Sequence, residues 1–327
     1  MEILWLDGGV VAKLLTMADA LEAVEGAFRE HGLRKVQMPP KLYLDFPQYE
    51  GDLRIMPAYI EALDMAGVKV VNVHPKNPPR LPTVMATLVL NDPRTGAPVA
   101  FMDATHITDM RTGAAGGVAV KYLARKDARV LGLVGAGRQA RTQLLAIKEV
   151  RKLKLVRVAS KSLEESRAFK EAMKPLAGCE IVPEAEVRDA CRCDILVTVT
   201  PARAPIVKSE WVEEGTHINA VGADAPGKEE LDPEILRRAK VVVDDLAQAS
   251  HSGEVNVPLA AGLMRREEIH AELGEIVTGT KRGREGDQEI TVFDSTGLAV
   301  QDVAVGAMIY RRARERGMGT KLKFLLP

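Results

Sequence analysis

The run Val130-Leu131-Gly132-Leu133-Val134 ends in Gly135-Ala136-Gly137-Arg138-Gln139-Ala140 and leads straight into a helical pattern. An apolar run closed by G-x-G-x-x-A is the sequence form of the first βα turn of a dinucleotide-binding fold. Gly135 permits the tight turn. Gly137 lets backbone amides approach a pyrophosphate, and small Ala140 lets helix and strand pack closely. The opening helix offers free N–H groups and the positive end of its dipole to phosphates. The plainer alternative is an ordinary βα turn rich in glycine. The motif alone leaves that open, and the strand–turn–helix context speaks for phosphate binding.

The chain has 327 residues, enough for about two domains. Hydrophobic content is 46% and charged content 28%, ordinary values for a globular protein. Lys+Arg and Asp+Glu balance at 45 each, so no electrostatic footprint for nucleic acid or an anionic membrane is present. No apolar run approaches the roughly 18 residues that a spanning helix needs. Residues 1–15 are broken by Glu2, Asp7 and Lys13, unlike a signal peptide, which makes a cytoplasmic location the expectation. Cys179, Cys191 and Cys193 suit reduced structural thiols, since Cys191-Arg192-Cys193 is not a usual zinc spacing. The six histidines are scattered, and no metal site is indicated.

The pattern changes along the chain. Thr16 with Asp19 looks like a capped helix start, followed by Leu21, Val24, Ala27 and Phe28 at helical spacing. Residues 39–91 hold short β-rich runs at 41–46, 68–73 and 83–90, separated by Pro and Gly clusters. They suggest a sheet of mixed or antiparallel strands. A helix is expected at 112–123. Strand candidates then alternate with helices: 130–134, 155–159, 180–182, 195–198, 217–221 and 241–244. That alternation predicts an α/β fold with a Rossmann-type, doubly wound parallel sheet beside a smaller α+β domain. The expected division is 113–303 for the parallel sheet and 1–112 with 304–327 for the smaller domain. A last helix is expected from 298 to 316, and 281–288 reads as a solvated turn.

Some charged positions interrupt this pattern. Lys69 lies in Val68-Lys69-Val70-Val71, and a cation buried there is costly unless paired. The alternative is a lysine on the exposed face of an edge strand. Asp224 follows Ile218-Asn219-Ala220-Val221-Gly222-Ala223, at what should be the carboxyl end of a parallel strand, where open α/β sheets bind ligands. Its alternative is a cap for the turn at Gly227-Lys228-Glu229. Arg111 opens the small-residue run Thr112-Gly113-Ala114-Ala115, where a guanidinium suits a carboxylate or phosphate and equally a surface salt bridge. Lys41 and Arg54 add cations to the first domain. Spacing alone does not bring these groups together.

Several stretches resemble the ornithine cyclodeaminase/μ-crystallin family, in order across nearly the whole chain. They are Gly67-Val68-Lys69-Val70-Val71-Asn72-Val73-His74-Pro75, Leu81-Pro82-Thr83-Val84, Met110-Arg111-Thr112-Gly113-Ala114-Ala115, Val134-Gly135-Ala136-Gly137-Arg138-Gln139, Gly222-Ala223-Asp224-Ala225-Pro226-Gly227-Lys228 and Phe293-Asp294-Ser295-Thr296-Gly297. Gln37-Met38-Pro39-Pro40-Lys41 and 293–305 resemble its alanine dehydrogenase branch in particular. The resemblance implies a homodimer whose subunits each hold a Rossmann domain and a domain for substrate binding and dimerisation. It implies catalytic roles for Lys69 and Asp224 beside the reacting carbon. It puts Lys41 and Arg111 on the substrate carboxylate and Thr296 beside the substrate. It also implies cofactor contacts for Thr83, Arg111, Gly135, Gly137, Arg138, Gln139, Thr200, Asn219, Lys228 and Ser295.

Two departures refine this. Ornithine cyclodeaminases carry a glutamate for the distal ammonium where this chain has Arg54, which points to a small, uncharged side chain instead. At the end of the second strand an NAD enzyme usually has an acid for the ribose 2′-hydroxyl. This chain reads Ser160-Lys161-Ser162 there, which suits a 2′-phosphate, so NADP is slightly favoured over NAD. The resulting expectation is an NAD(P)-dependent oxidoreductase on CH–NH2 groups, converting L-alanine to pyruvate and ammonia reversibly. The alternatives are a reductase of cyclic ketimines such as Δ1-pyrroline-2-carboxylate, an ornithine cyclodeaminase, and an NADPH-binding protein without turnover.

Overall fold

The computed structural model describes residues 1–324. The chain opens with β1 (Glu2–Leu6), α1 (Gly8–Leu14) and α2 (Met17–Gly32). Next come β2 (Val36–Gln37), β3 (Leu42–Phe46), β4 (Gly51–Ile60), β5 (Met65–Val73), β6 (Val84–Asn91), β7 (Pro98–Asp103) and α3 (Thr105–Leu123). An alternating stretch holds β8 (Val130–Val134), α4 (Arg138–Val150), β9 (Leu155–Ala159), α5 (Leu163–Ala177), β10 (Glu180–Glu184), α6 (Val187–Ala190) and β11 (Ile195–Thr198). After it lie β12 (Arg203–Val207), β13 (His217–Ala220), β14 (Glu229–Leu231), α7 (Pro233–Arg238), β15 (Lys240–Val243), α8 (Leu246–Ser252) and α9 (Asn256–Ala260). The chain ends with β16 (Ala271–Glu272), α10 (Leu273–Thr278), β17 (Thr291–Asp294), α11 (Ala299–Glu315) and β18 (Thr320–Lys323). These elements separate into two compact units, Met1–Arg111 with the chain from Leu298 on, and Thr112–Gly297. The units part inside α3 and just before α11. A division at 303/304 would instead cut α11 in its second turn.

The first unit is built on a sheet of order β18-β1-β7-β6-β5-β4-β2, with β3 also paired to β4. Strands β3 to β6 are antiparallel to their neighbours, and β7 is antiparallel to β6 but parallel to β1. Helix α11 packs on the face made by β4, β5 and β6. Alternate residues of β4 turn inward, namely Arg54, Met56, Ala58 and Ile60. On β5 the inward set is Gly67, Lys69 and Val71. Strand β4 has no counterpart among the runs expected from sequence, because Arg54 breaks its apolar alternation and Pro57 argues against a central strand. The structure accommodates Pro57 in a gap, since β3 pairs with residues 51–55 of β4 and β2 with 59–60. The capped start of α2 is present: Thr16 Oγ1 accepts from Asp19 N at 3.2 Å, and Thr16 N donates to Asp19 Oδ2 at 3.1 Å.

The second unit carries a parallel sheet of order β10-β9-β8-β11-β13-β17-β15-β16. Counting from β8, the order begins 3-2-1-4-5, the doubly wound pattern, with its reversal between β8 and β11. Both faces are covered. One core holds Leu133, Leu144, Val158 and Phe169, the other Leu196, Ile218, Val241 and Val292. Helix α3 begins at Thr105 and not at 112. Thr105, Ile107 and Thr108 are weak helix formers, but Ile107 is fully buried and Asp103 Oδ1 takes the Thr105 N–H at 2.7 Å. Among the described residues no helix is long and apolar enough to cross a membrane, and no group of three or more His, Cys, Asp or Glu is placed to hold a metal ion.

Candidate functional site

In the second unit the turn after β8 has the geometry its glycines suggest. Gly135 has φ +110°, and a Cβ there would also stand 2.9 Å from the Val199 carbonyl oxygen at the end of β11. Gly137 is the N-cap of α4, a thirteen-residue helix with no side-chain cap hydrogen bond at its N-terminus. A Cβ on Gly137 would meet nothing within 4 Å. That open space belongs to a cleft of about 530 Å³, lined in part by Gly135, Gly137, Ser160, Lys161, Glu165 and Thr200. The cleft lies at the strand-order reversal, where a dinucleotide fits this type of sheet. A cradle that side-chain carbon would fill, beside uncapped helix N–H groups, suits a pyrophosphate.

The expected cofactor residues divide. Gly135, Gly137, Ser160, Lys161 and Thr200 line this cleft. Arg138 and Gln139 form the first turn of α4, and Ser162 caps α5 by accepting from Glu165 N at 3.2 Å. Thr83 and Arg111 belong to the first unit. Asn219 is fully buried and bonded within the protein: it donates to the Gly116 carbonyl at 3.2 Å and to Gln143 Oε1 at 3.3 Å, and its Oδ1 lies 2.9 Å from His217 Nε2. Burial pushes the His217 pKa down to about 3, which keeps that ring neutral. The structure thus places Asn219 as a brace beneath the strand ends and not on the cleft wall. Ser295 is likewise buried, with its N–H on the Ala220 carbonyl at 2.9 Å.

The strand end at 160–162 has a partner on the next helix. The sequence offers no acid there, but the first turn of α5 returns one. Ser160 Oγ donates to Glu165 Oε2 at 2.8 Å, and Lys161 Nζ lies 3.1 Å from Glu165 Oε1. Hydrogen bonds from Ser160 and Lys161 hold the Glu165 carboxyl below its usual range. The hydroxyl and cation that suggested a phosphate site are therefore already engaged by a carboxylate in the cleft wall. The capping signature Ser162-x-x-Glu165 was the available clue.

The loop after β13 carries Asp224 and Lys228. Lys228 Nζ donates to Asp224 Oδ1 at 2.6 Å. Asn256 fixes the loop's far end, accepting from Gly227 N at 2.9 Å and donating to the Lys228 carbonyl at 2.9 Å. Thr296 is positioned by Asp244, which takes the Thr296 and Gly297 N–H groups, each at 2.7 Å, and the Thr296 hydroxyl at 2.9 Å. Gln248 donates to the same hydroxyl.

In the first unit Lys69 is fully buried on an inner strand, so the exposed-edge alternative falls away. Its Nζ lies 2.7 Å from Asp302 Oδ2 on α11, and neither atom has an aligned hydrogen-bond partner. Arg111 approaches the same carboxylate. Its Nε donates to Asp302 Oδ1 at 3.1 Å and its Nη1 to Gln301 Oε1 at 3.0 Å. Two cations thus share one buried anion. Burial, then repulsion from Arg111, brings the Lys69 pKa down to about 7 against the pull of Asp302, and Lys41 adds to the repulsion. Such an ammonium gives up a proton near neutrality and keeps donor capacity for a ligand carboxylate. Asp302 had a readable signal, an acid inside the apolar run Ala299-Val300-Gln301-Asp302-Val303-Ala304-Val305.

Arg54 is placed differently from the expectation. It is buried, but Asp52 receives it in bidentate fashion, Nε to Oδ1 at 2.9 Å and Nη2 to Oδ2 at 3.0 Å. Its guanidinium also sits 5.5 Å from the centre of the Tyr43 ring. The bare cation that would repel a second substrate ammonium is neutralised by its neighbour two residues back.

Known proteins fit this geometry. The chain is 52% identical over 325 residues to the alanine dehydrogenase of Archaeoglobus fulgidus, covering 99% of each chain. A solved structure of an archaeal alanine dehydrogenase dimer with bound NAD matches with a TM-score of 0.95 at 52% identity, over 99% of this chain and 100% of that one. The Δ(1)-pyrroline-2-carboxylate reductase of Thermococcus litoralis, solved with NADH and L-proline, matches with a TM-score of 0.94 at 43% identity, over 97% of this chain and 99% of that one. The model of one family matches residues 6–317, and with that span and those identities the chain belongs to the ornithine cyclodeaminase/mu-crystallin family.

Proposed function

We propose that this protein is an NAD-dependent dehydrogenase that converts L-alanine, water and the oxidised cofactor reversibly to pyruvate, ammonium, the reduced cofactor and a proton. The observation that carries the chemistry is the buried Lys69 ammonium, held with Arg111 against Asp302 and poised to lose its proton near pH 7. The choice of alanine rests on the full-length similarity to alanine dehydrogenase. NAD is favoured over NADP because Glu165 puts a carboxylate in the cleft wall, which accepts from a ribose hydroxyl and repels a phosphate. The dinucleotide supplies the acceptor for the hydride that leaves the α-carbon.

The residues divide the remaining work. Arg111 and Lys69 bind the substrate carboxylate, with Lys41 adding positive potential. Lys69 passes a proton as the amine becomes an imine. Asp224 takes a proton from the water that adds to the imine carbon; the C–N bond then breaks and ammonia leaves. Lys228 steadies Asp224 through their 2.6 Å contact. The retained acid–base pair speaks against a binding protein without turnover. The working form is proposed to be a homodimer, as in the archaeal relative.

A second reading, reduction of a cyclic imino acid, is favoured by the likeness to the Thermococcus litoralis reductase. It uses the same groups without release of ammonia. Cofactor absorbance followed with L-alanine, L-proline and L-ornithine, and in reverse with pyruvate plus ammonium or with Δ1-pyrroline-2-carboxylate, separates them. Turnover of alanine, and of pyruvate only with ammonium, is the expected result. Reduction of the cyclic imine alone, or conversion of ornithine to proline, overturns the alanine assignment.

A further inference from the structure

Among the buried acids of the second unit, Glu230 has the most demanding surroundings. It sits in the middle of β14 with no exposure to solvent. Its Oε1 accepts from Thr200 N at 2.6 Å and from Thr200 Oγ1 at 2.7 Å. Its Oε2 accepts from Gly222 N at 2.9 Å. Thr200 belongs to the loop after β11 that lines the dinucleotide cleft. Gly222 begins the loop after β13 that carries Asp224 and Lys228. One carboxylate therefore joins the backbone of two strand-end loops that serve different parts of the reaction.

The join is tight. A Cβ on Gly222 would fall 2.2 Å from the Thr200 carbonyl oxygen and 2.5 Å from Glu230 Oε2, so only glycine fits between them. The strand beneath is itself held. Glu254 Oε1 accepts from Glu230 N at 2.8 Å and from Leu231 N at 2.7 Å. Strand β14 also pairs with β12, which continues the Thr200 loop. Burial raises the carboxyls of both Glu230 and Glu254, and Glu230 is pulled partly back down by the donors on Thr200 and Gly222. Three donors converge on the Glu230 carboxyl, and two of them are backbone N–H groups whose positions define the loops.

We propose that Glu230 is a positioning residue, which locks the cofactor-facing Thr200 loop to the loop bearing Asp224. This rests on the dehydrogenase reading for the role of Asp224, and on the cleft alone for the role of Thr200. The carboxylate touches neither substrate nor cofactor. It acts by denying both loops independent motion, so that cofactor affinity and turnover depend on the same three bonds. Loosening it costs orientation and not acid strength.

The test compares wild type with Glu230→Gln, which keeps the volume but turns an amide NH2 toward one set of donors, and with Thr200→Val, which removes one donor and keeps the shape. Three quantities are read: the Kd of NADH by fluorescence titration without substrate, kcat and KM for L-alanine at saturating cofactor, and Tm. Glu230→Gln is expected to raise the NADH Kd by about tenfold, the effect of losing a charge-assisted hydrogen bond. It is expected to lower kcat by about tenfold to a hundredfold. The KM for alanine, set by Lys69 and Arg111, should stay within about twofold, as for any step that leaves ground-state binding untouched. Thr200→Val should shift Kd and kcat in the same directions by smaller factors. A fall in Tm with unchanged Kd and kcat of the folded enzyme overturns the proposal, since that is what a purely structural acid would give. If Glu230→Gln does not fold, Thr200→Val decides: unchanged kcat at saturating cofactor overturns it. If wild type binds NADH but does not oxidise alanine, the functional reading has failed, while the Kd comparison still judges the lock on the Thr200 loop.

Discussion

The two units are polar in opposite ways. In the second, the floor of the cleft at the turn after β8 is made of backbone. Gly135 turns the chain, Gly137 leaves helix N–H groups uncapped, and the strand-order reversal opens the space. No buried side-chain charge is required at that turn. In the first, the candidate machinery is all side-chain charge, with Lys69 and Arg111 converging on Asp302 under α11. A backbone site costs little stability because its dipoles come with the fold. A buried ionic cluster is expensive, since removing one partner strands the others in a medium that cannot solvate them. The first kind of site can be read from a short motif. The second needs a contact between residues 233 positions apart in sequence, Lys69 and Asp302, and no local pattern carries it.

The sharpest test of the contrast is Lys69→Ala. Turnover should fall by about 10²–10⁴-fold, the usual share of a general acid–base group. The NADH Kd should stay at its wild-type value, because the cleft proposed to bind it belongs to the other unit. A parallel loss of NADH affinity would show that the division of labour is wrong.

Asp302→Asn attacks the same cluster through stability. It leaves Lys69 and Arg111 buried without their anion, for which a loss of about 3–5 kcal/mol is typical. Urea unfolding of this variant beside Lys69→Ala measures it. The double variant should recover part of the loss, because one stranded cation is gone. A loss under about 1 kcal/mol, the level of a surface pair, would mean that the cluster is not paid for by Asp302.

The depressed Lys69 pKa gives a pH dependence of definite sign. The unfolded chain keeps this lysine protonated up to its ordinary value of 10.5, whereas the folded protein releases the proton through about 7. Between these values the unfolded state binds more protons, so this group makes the protein more stable as pH rises, with a slope approaching about 1.4 kcal/mol per unit. Below about 7 both states are protonated and the slope vanishes. Wild type should therefore gain stability relative to Lys69→Met between pH 7 and 9, as measured by denaturant midpoints at each pH, and log kcat/KM should bend near 7. Parallel curves for the two proteins would return Lys69 to an ordinary pKa.

In the second unit Glu165→Ala should shift the ratio of NADH to NADPH affinity toward NADPH by about thirtyfold, since one lost charge-assisted contact and one lost repulsion are each worth about a kcal/mol in a half-exposed place. Ser160 and Lys161, released from Glu165, would then serve a phosphate as the strand end suggested. A ratio unchanged within twofold in paired titrations would remove Glu165 from the choice of cofactor.

What the sequence exposed follows the same division. The βα turn, six of the parallel strands and the capped start of α2 come from local rules, and each lies within a residue or two of where those rules put it, whereas β16 and β17 are not among the expected strands. Strand β4 escaped because its inward face includes Arg54 and its middle holds Pro57, both tolerated only through tertiary partners. The start of α3 escaped because burial outweighed poor helix propensity. Asn219 looked like a cofactor contact, but its amide is used by a buried network whose members, Gly116, Gln143 and His217, are scattered along the chain. Glu165 and Asp302 each stood in a recognisable pattern, a helix start and an apolar helix face. What the pattern lacked was the partner that gives each its role.

Arg54 tests the smallest effect, and with it how far local pairing blunts a charge. Two bare unit charges about 4 Å apart would cost roughly 4 kcal/mol at an effective dielectric of 20, nearly three decades against a second ammonium. That figure requires an unpaired arginine. The bidentate partner Asp52 cancels the net charge, and Tyr43 spreads what remains. Asp52 and Arg54 are two residues apart on one strand, hence on one face, so this pairing was open to a reading of β4 as a strand. With the charge cancelled, Arg54 contributes little to the proposed preference against ornithine. Arg54→Met should therefore change the preference for L-alanine over L-ornithine, as kcat/KM, by less than about tenfold, about what a neutralised pair is worth. Asp52→Asn frees the arginine's charge while keeping its shape, and should strengthen the preference by more than Arg54→Met weakens it. If Arg54→Met admits ornithine by a hundredfold or more, the guanidinium keeps its full field despite Asp52. The first unit's charges would then act singly, and not as the paired clusters that set it apart from the second.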